Sequence, residues 1–245
     1  MRIAFAGTAN TGKSTLIQSF LKKWPMYSTP TTTYRDLLIE NKLEHSSKTT
    51  EETQLLILDW MMKEQEKYPK GSKVVYDRCP LDNLAYTLQG NSNGIISDEV
   101  TAASISLVRE SVKNLDIIFW LKYNPSIKIV NDGVRDADIN FIKQTDGIFG
   151  DLFHQYCENL ESDIFFPKED CPAIIQIDES FATLDSKMWF INEFIDYKGD
   201  LIETTDSILD PSNVDLLEQM LNEQKSEMQN DIQIQNLVKQ LKKSR

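Results

Sequence analysis

The chain has 245 residues, 40% of them apolar and 26% charged. That is enough apolar material for a core and enough length for one α/β domain with a terminal addition, which excludes a disordered tail and a low-complexity repeat. A formal net charge of −12 disfavours a broad basic surface for gripping duplex DNA, while leaving room for a local basic site.

In chain order, residues 2–6 (Arg-Ile-Ala-Phe-Ala) form a short apolar run that stops at Gly7, the pattern of a buried strand. Residues 15–24 carry Leu16, Ile17, Phe20 and Leu21 at helical spacing until Pro25. The Thr-, Ser- and Pro-rich stretch 27–33 reads as loop with room for a short edge strand. Helices are predicted over 34–41 and 49–67, a second buried strand over 73–77, and a helix over 80–89 behind Pro80. Asp98 is expected to cap a helix running to about Lys113. A third buried strand spans 115–121, a helix weakened by Gly147 spans 139–160, and a last strand spans 173–177. Apolar strands alternating with helices predict a parallel sheet with helices on both faces.

The expected domain covers 1–180, and 181–245 forms a mainly helical C-terminal extension. Its long polar helix, 213–243, has a thin apolar stripe with Leu217, Leu221 and Val238. That stripe can pack on the domain, pair with another copy of the chain, or stay solvated.

The most informative segment is Gly7-Thr8-Ala9-Asn10-Thr11-Gly12-Lys13-Ser14-Thr15, a G-x-x-x-x-G-K-S motif that follows a predicted strand and opens a predicted helix. That context makes it a P-loop (Walker A): glycines let backbone N–H groups wrap a polyphosphate, and the helix N-terminus favours negative charge. Lys13 can then reach the β- and γ-phosphates, and the Ser14 hydroxyl can bind Mg²⁺. Residues 1–35 hold Arg2, Lys13, Lys22, Lys23 and Arg35 and no acid, so the N-terminal end is where an anionic ligand is welcome.

Two further stretches carry chemistry. The second strand ends in Asp77-Arg78. A carboxylate at a strand's C-terminal end lies on the ligand edge of such a sheet, where Asp77 would take an acceptor proton or hold Mg²⁺ through water. Its competing role is a cap for the helix at Pro80. Arg78 would clamp an anionic group. After the third strand, Arg135 sits in Asp132-Gly133-Val134-Arg135 before a helix. It reads either as a mobile cation closing over phosphates or as an exposed loop arginine.

The order of these elements resembles the P-loop nucleoside and nucleotide kinases, and is most similar to the nicotinamide-riboside-kinase-like (NadR-like) AAA family. Segments 76–86 and 115–153 carry the likeness beyond the P-loop, over roughly residues 1–180. The resemblance implies ATP-dependent phosphoryl transfer with Mg²⁺, a parallel core of about five strands, Asp77 as base or metal organiser and Arg135 in a lid. It also implies acceptor contacts after the first helix, where Tyr34 would stack on a ring and Arg35 meet a phosphate, with Gln54 of the next helix pairing with a base edge; the competing reading of all three is as surface helix residues. The expected acceptor is a small nucleoside or nucleotide. Two rivals stand beside it: a phage-type kinase acting on a hydroxymethylated base in DNA, which the acidic charge disfavours, and a nucleotide-dependent switch or scaffold without an acceptor.

Cys79, Cys157 and Cys171 form no C-x-x-C pair, and His45 and His154 are the only histidines. A reducing, cytoplasmic setting is therefore expected, without a disulfide framework or His-based metal site. Lys13 interrupts the apolar start, so no signal peptide is expected, and no membrane span is expected either.

Overall fold

The computed structural model describes residues 1–43, 49–127, 129, 138–159 and 165–202. Arg135, its neighbours in 130–137 and the helix expected over 213–243 lie outside the described residues. Four strands, β1 (Arg2–Ala6), β2 (Val74–Asp77), β3 (Ile117–Leu121) and β4 (Ala173–Ile177), form a parallel sheet in the order β2-β1-β3-β4. The helices are α1 (Lys13–Lys23), α2 (Tyr34–Asn41), α3 (Glu51–Glu66), α4 (Pro80–Ser92), α5 (Asp98–Val112), α6 (Ile139–Asn159) and α7 (Leu184–Asn192).

The sheet is parallel because each strand is apolar on both faces and must be covered twice. Ala4 and Ala6 of β1, with Tyr76, Ile118 and Trp120, pack under Leu58, Leu84, Val112 and Phe149 from α3, α4, α5 and α6. The opposite face is aromatic. Phe5 stacks on Phe119 at 5.4 Å and meets Phe20 of α1 edge-on at 5.7 Å, and Phe194 closes on Phe119 at 6.3 Å. Phe5, Phe20 and Phe119 are fully buried, each contributing about 1.5–3 kcal/mol by removal from water.

A fifth strand is present only as a single bridge. Ser28 pairs in parallel with Val74 on the outer side of β2, its N–H donating to Lys73 O at 3.1 Å and its carbonyl accepting from Val75 N at 2.9 Å. Pro30 has no N–H to continue a ladder, and the pairing ends there. The start of α5 also differs from expectation. Ser97 is the cap, accepting from Val100 N, and Asp98 is the first helical residue.

The compact unit of the described residues runs from Met1 to Ile202, past the expected boundary at 180. The reason is the aromatic face. Phe181, Phe190, Ile191, Phe194 and Ile195 are buried on it. Trp24 Nε1 donates to Asp196 O at 2.6 Å, and Tyr27 Oη donates to Gly199 O at 2.7 Å. A domain cut after its last strand would leave that face open to water.

Candidate active site

The phosphate-binding geometry begins where β1 runs out. A Cβ on Gly7 would lie 2.5 Å from the carbonyl oxygen of Leu121 in β3, so only glycine lets the loop turn this close to the sheet. The loop then passes through Thr8, Ala9, Asn10 and Thr11 to Gly12, which caps α1 in a left-handed conformation with φ 87°. Thr8 and Thr11 are fully buried. Residues 9–15, with Lys13, Ser14 and Thr15 in the first turn of α1, line a cleft of about 810 Å³, counting the solvent at its mouth.

Lys13 lies inside the loop. Its Nζ donates to Gly7 O and Thr8 O, both at 2.6 Å, and to Thr11 Oγ1 at 3.2 Å. Burial, reinforced by the Arg78 charge, lowers its pKa to about 7. Carbonyl dipoles only partly replace water around an ammonium, and an arriving polyphosphate would complete the exchange.

Asp77 ends β2 directly opposite Phe5 of β1, which puts it beside the P-loop. Ser14 Oγ donates to Asp77 Oδ2 at 3.0 Å, while Asp77 Oδ1 is buried without a hydrogen-bond partner. Two hard oxygen donors on adjacent elements, one carboxylate oxygen still open, suit Mg²⁺, which keeps most of its waters and takes one or two protein ligands beside phosphates. Among the described residues no cluster of three or more His, Cys, Asp or Glu could cage a metal. Asp77 is not the cap of α4. That position is Cys79, whose N–H donates to Asp82 Oδ2 at 3.0 Å. Nor does Asp77 line the P-loop cleft. It faces an adjoining cleft between α1 and α3, which Ser14, Gln18, Thr33 and Glu64 also line.

Arg78, with φ 82°, turns back from β2 into the P-loop cleft. Its Nη1 donates to Gly7 O at 3.2 Å and Asp82 Oδ1 at 3.1 Å, and its guanidinium lies 5.2 Å from the ring centres of both Tyr34 and Tyr86. Burial works against this charge, but Tyr34, Tyr86, Asp82 and Asp77 outweigh it and hold Arg78 protonated well above its ordinary range. Asp82, 1% exposed, also accepts from the Gly7 N–H at 3.0 Å. Burial raises its pKa against the pull of Arg78 and Lys13. One carboxylate thus ties together the first P-loop glycine, the strand-end arginine and the start of α4.

The opposite wall comes from α2, α3 and α4. Tyr34 and Arg35 open α2, whose start is fixed by a Thr33–Asp36 capping box. Tyr34 lies against cations, Arg78 and Arg35, the latter 5.6 Å away. Gln54, 4% exposed, donates through Nε2 to Thr49 Oγ1 at 2.7 Å and accepts at Oε1 from Asn83 Nδ2 at 2.8 Å. Asn83 Nδ2 also donates to Gln54 O at 2.9 Å, and its own Oδ1 is buried without a partner. Asn83 and Tyr86 also line the cleft and were not singled out from the sequence. Their one signal is helical spacing behind the Asp77-Arg78 pair.

Lys187 of α7 is a further unanticipated residue. It is 6% exposed, burial lowers its pKa, and its Nζ donates to Thr11 O at 3.0 Å.

An AAA domain family model matches residues 2–157. No curated protein matches the chain. Among solved structures, deoxyadenosine kinase from M. mycoides superposes with a TM-score of 0.55 at 15% identity, covering 78% of this chain and 96% of that one. Thymidylate kinase from Candida albicans gives 0.55 at 18% identity, covering 83% and 95%. NadR in complex with NR gives 0.52 at 15% identity, covering 83% of this chain and 53% of NadR, so the likeness spans about half of that protein. At these identities what is shared is the fold, a P-loop kinase-type parallel sheet. The chain belongs to the AAA domain family, in the fold that nucleoside and nucleotide kinases and NadR also adopt.

Proposed function

We propose that the chain is an ATP-dependent kinase that moves the γ-phosphoryl group to a hydroxyl of a nucleoside, a nucleotide or a related small molecule. The observation that carries this reading is the single cleft, with the P-loop on one wall and Tyr34, Gln54, Asn83 and Tyr86 on the other. A switch needs the first wall only. Rings and amides opposite a phosphate site are what a flat, hydrogen-bonding acceptor requires. The kinases with this fold act on such acceptors by their names, deoxyadenosine and thymidylate.

In this reading the backbone of 7–15 and Lys13 hold the triphosphate, with Lys13 exchanging carbonyls for phosphate oxygens. Ser14 and Asp77 would hold Mg²⁺, which supplies charge neutralisation at the β- and γ-phosphates. The Ser14–Asp77 hydrogen bond and the position of Asp77 outside the cleft lining favour metal organisation over direct proton removal. Arg78 points positive charge at the space between the walls, Gln54 and Asn83 orient the acceptor, and Tyr34 and Arg35 close over it from α2. Arg135 is assigned to a closing segment on its Gly-containing sequence context and the family resemblance.

Cys79, Cys157 and Cys171 are free thiols, which fits a cytoplasmic location. No helix of the described residues is long and apolar enough to cross a membrane. Association of copies through the helix expected over 213–243 is part of the reading.

The test is γ-labelled ATP with a panel of nucleosides, nucleotides and DNA containing a hydroxymethylated base. Label on a small acceptor supports the proposal, label on DNA supports the phage-type rival, and slow release of inorganic phosphate alone supports a switch.

A further inference from the structure

Lys187 lies on an element that the P-loop motif does not include, yet it reaches the loop. Its ammonium is buried, meets no carboxylate among the described residues, and donates to Thr11 O at 3.0 Å. A buried lysine is costly, and packing alone would be served better by leucine or methionine. What the charge contributes follows from the peptide it grips. No peptide bond of the described residues is cis. The Thr11–Gly12 unit is therefore planar and trans, with its C=O and N–H pointing in opposite directions. Thr11 and Gly12 line the cleft and Lys187 does not. A carbonyl drawn toward Lys187 is drawn to the back of the loop, and the Gly12 N–H is turned to the cleft. Gly12, at φ 87° and without a side chain, gives this peptide the freedom to flip over and present an oxygen where a phosphate must sit.

We infer that Lys187 is a positioning residue for phosphate binding: its contact with Thr11 O locks the Thr11–Gly12 peptide so that the Gly12 N–H, at the start of α1, faces the anion. The inference rests on the P-loop being the phosphate site, as proposed above, and not on the identity of the acceptor. It ties α7 to the nucleotide, which gives the segment beyond the last strand a role in the site as well as in the core. Lys187 is also close behind Gly12, where an added Cβ would lie 3.7 Å from its Nζ. The loop is thus backed by a cation that never has to touch the ligand.

The experiment measures binding of inorganic tripolyphosphate, ATP and adenosine by calorimetry to the full chain and to Lys187→Met and Lys187→Arg. Methionine keeps the length of the stem and removes the charge. Lys187→Met should bind tripolyphosphate and ATP about tenfold or more weakly, the scale of a lost charge-assisted hydrogen bond. Adenosine affinity should stay as in the parent, and Lys187→Arg should recover most of the loss. If Lys187→Met is not folded by circular dichroism, Lys187→Gln, which keeps a donor, takes its place with an intermediate loss expected. Parent-like tripolyphosphate binding in the uncharged variant overturns the inference and leaves the kinase reading intact. A parent chain that binds no tripolyphosphate overturns both.

Discussion

Under the proposed function, the two walls of the cleft would recognise their ligands by different means. On the phosphate wall the contact surface would be mainly backbone, held in place by buried side chains: Asp82 accepts from the Gly7 N–H, and Lys187 donates to Thr11 O. On the facing wall the contact surface is side chains from three helices, Tyr34, Gln54 and Asn83, paired with one another or with Arg78. Backbone recognition needs one contiguous stretch with glycines at fixed places, so it leaves a motif. Side-chain recognition needs only that helices meet, and residues far apart in sequence do so without any local pattern.

The largest effect should come from the phosphate wall. Lys13→Ala removes the one cation inside the loop, and transfer of labelled phosphate should fall by about a thousandfold or more with the fold retained by circular dichroism. Transfer near the parent rate would break the comparison at its stronger side. Asp82→Ala attacks a buried support instead of the contact. It strands buried Arg78 and should cost about 3–5 kcal/mol of stability in denaturant titrations. A loss below about 1 kcal/mol would place Asp82 among ordinary caps.

Asp77→Asn keeps shape and loses charge, and should lower turnover by about a hundredfold while shifting the Mg²⁺ dependence to higher concentration. An unchanged Mg²⁺ dependence would separate Asp77 from the metal. On the acceptor wall, Gln54→Leu should raise the acceptor KM by about tenfold and leave the ATP KM alone. Equal changes in both would mean that the walls are not separate recognition surfaces.

The smallest effect is a pH dependence. Lys13 has a pKa of about 7 in the ligand-free protein, and phosphates beside it favour its charged form. The bound state then holds more protons above pH 7, so ATP affinity weakens as pH rises past 7, by at most about tenfold per pH unit for one proton. Calorimetry in two buffers of different ionisation heat, with chelator present, should find proton uptake at pH 8, little at pH 6, and none in Lys13→Ala.

What the sequence made legible follows the same division. β1 and β4 match their predicted spans, because a continuous apolar run between turn residues has one reading in an α/β chain. The P-loop was legible for the reason already given. Lys187 was not, since the aromatic residues around it read as a segment beyond the domain until Phe194 is seen on Phe119. Asn83 was not, because nothing local says that Gln54 lies opposite it. The cap reading of Asp77 stood beside the base and metal readings until Cys79 and Asp82 filled the cap.

The central claim is that donor phosphates and acceptor share one continuous cleft. The direct test is calorimetric binding of two nucleosides joined by a polyphosphate long enough to span both walls, compared with ATP and with each free nucleoside. Two occupied walls convert the second contact into an intramolecular one, so the linked compound should bind at least about a hundredfold more tightly than ATP. Gln54→Leu should erase much of that gain while leaving ATP binding as it was. A linked compound that binds no better than ATP, with no response to Gln54→Leu, would contradict the account and leave a nucleotide-binding loop without an acceptor wall.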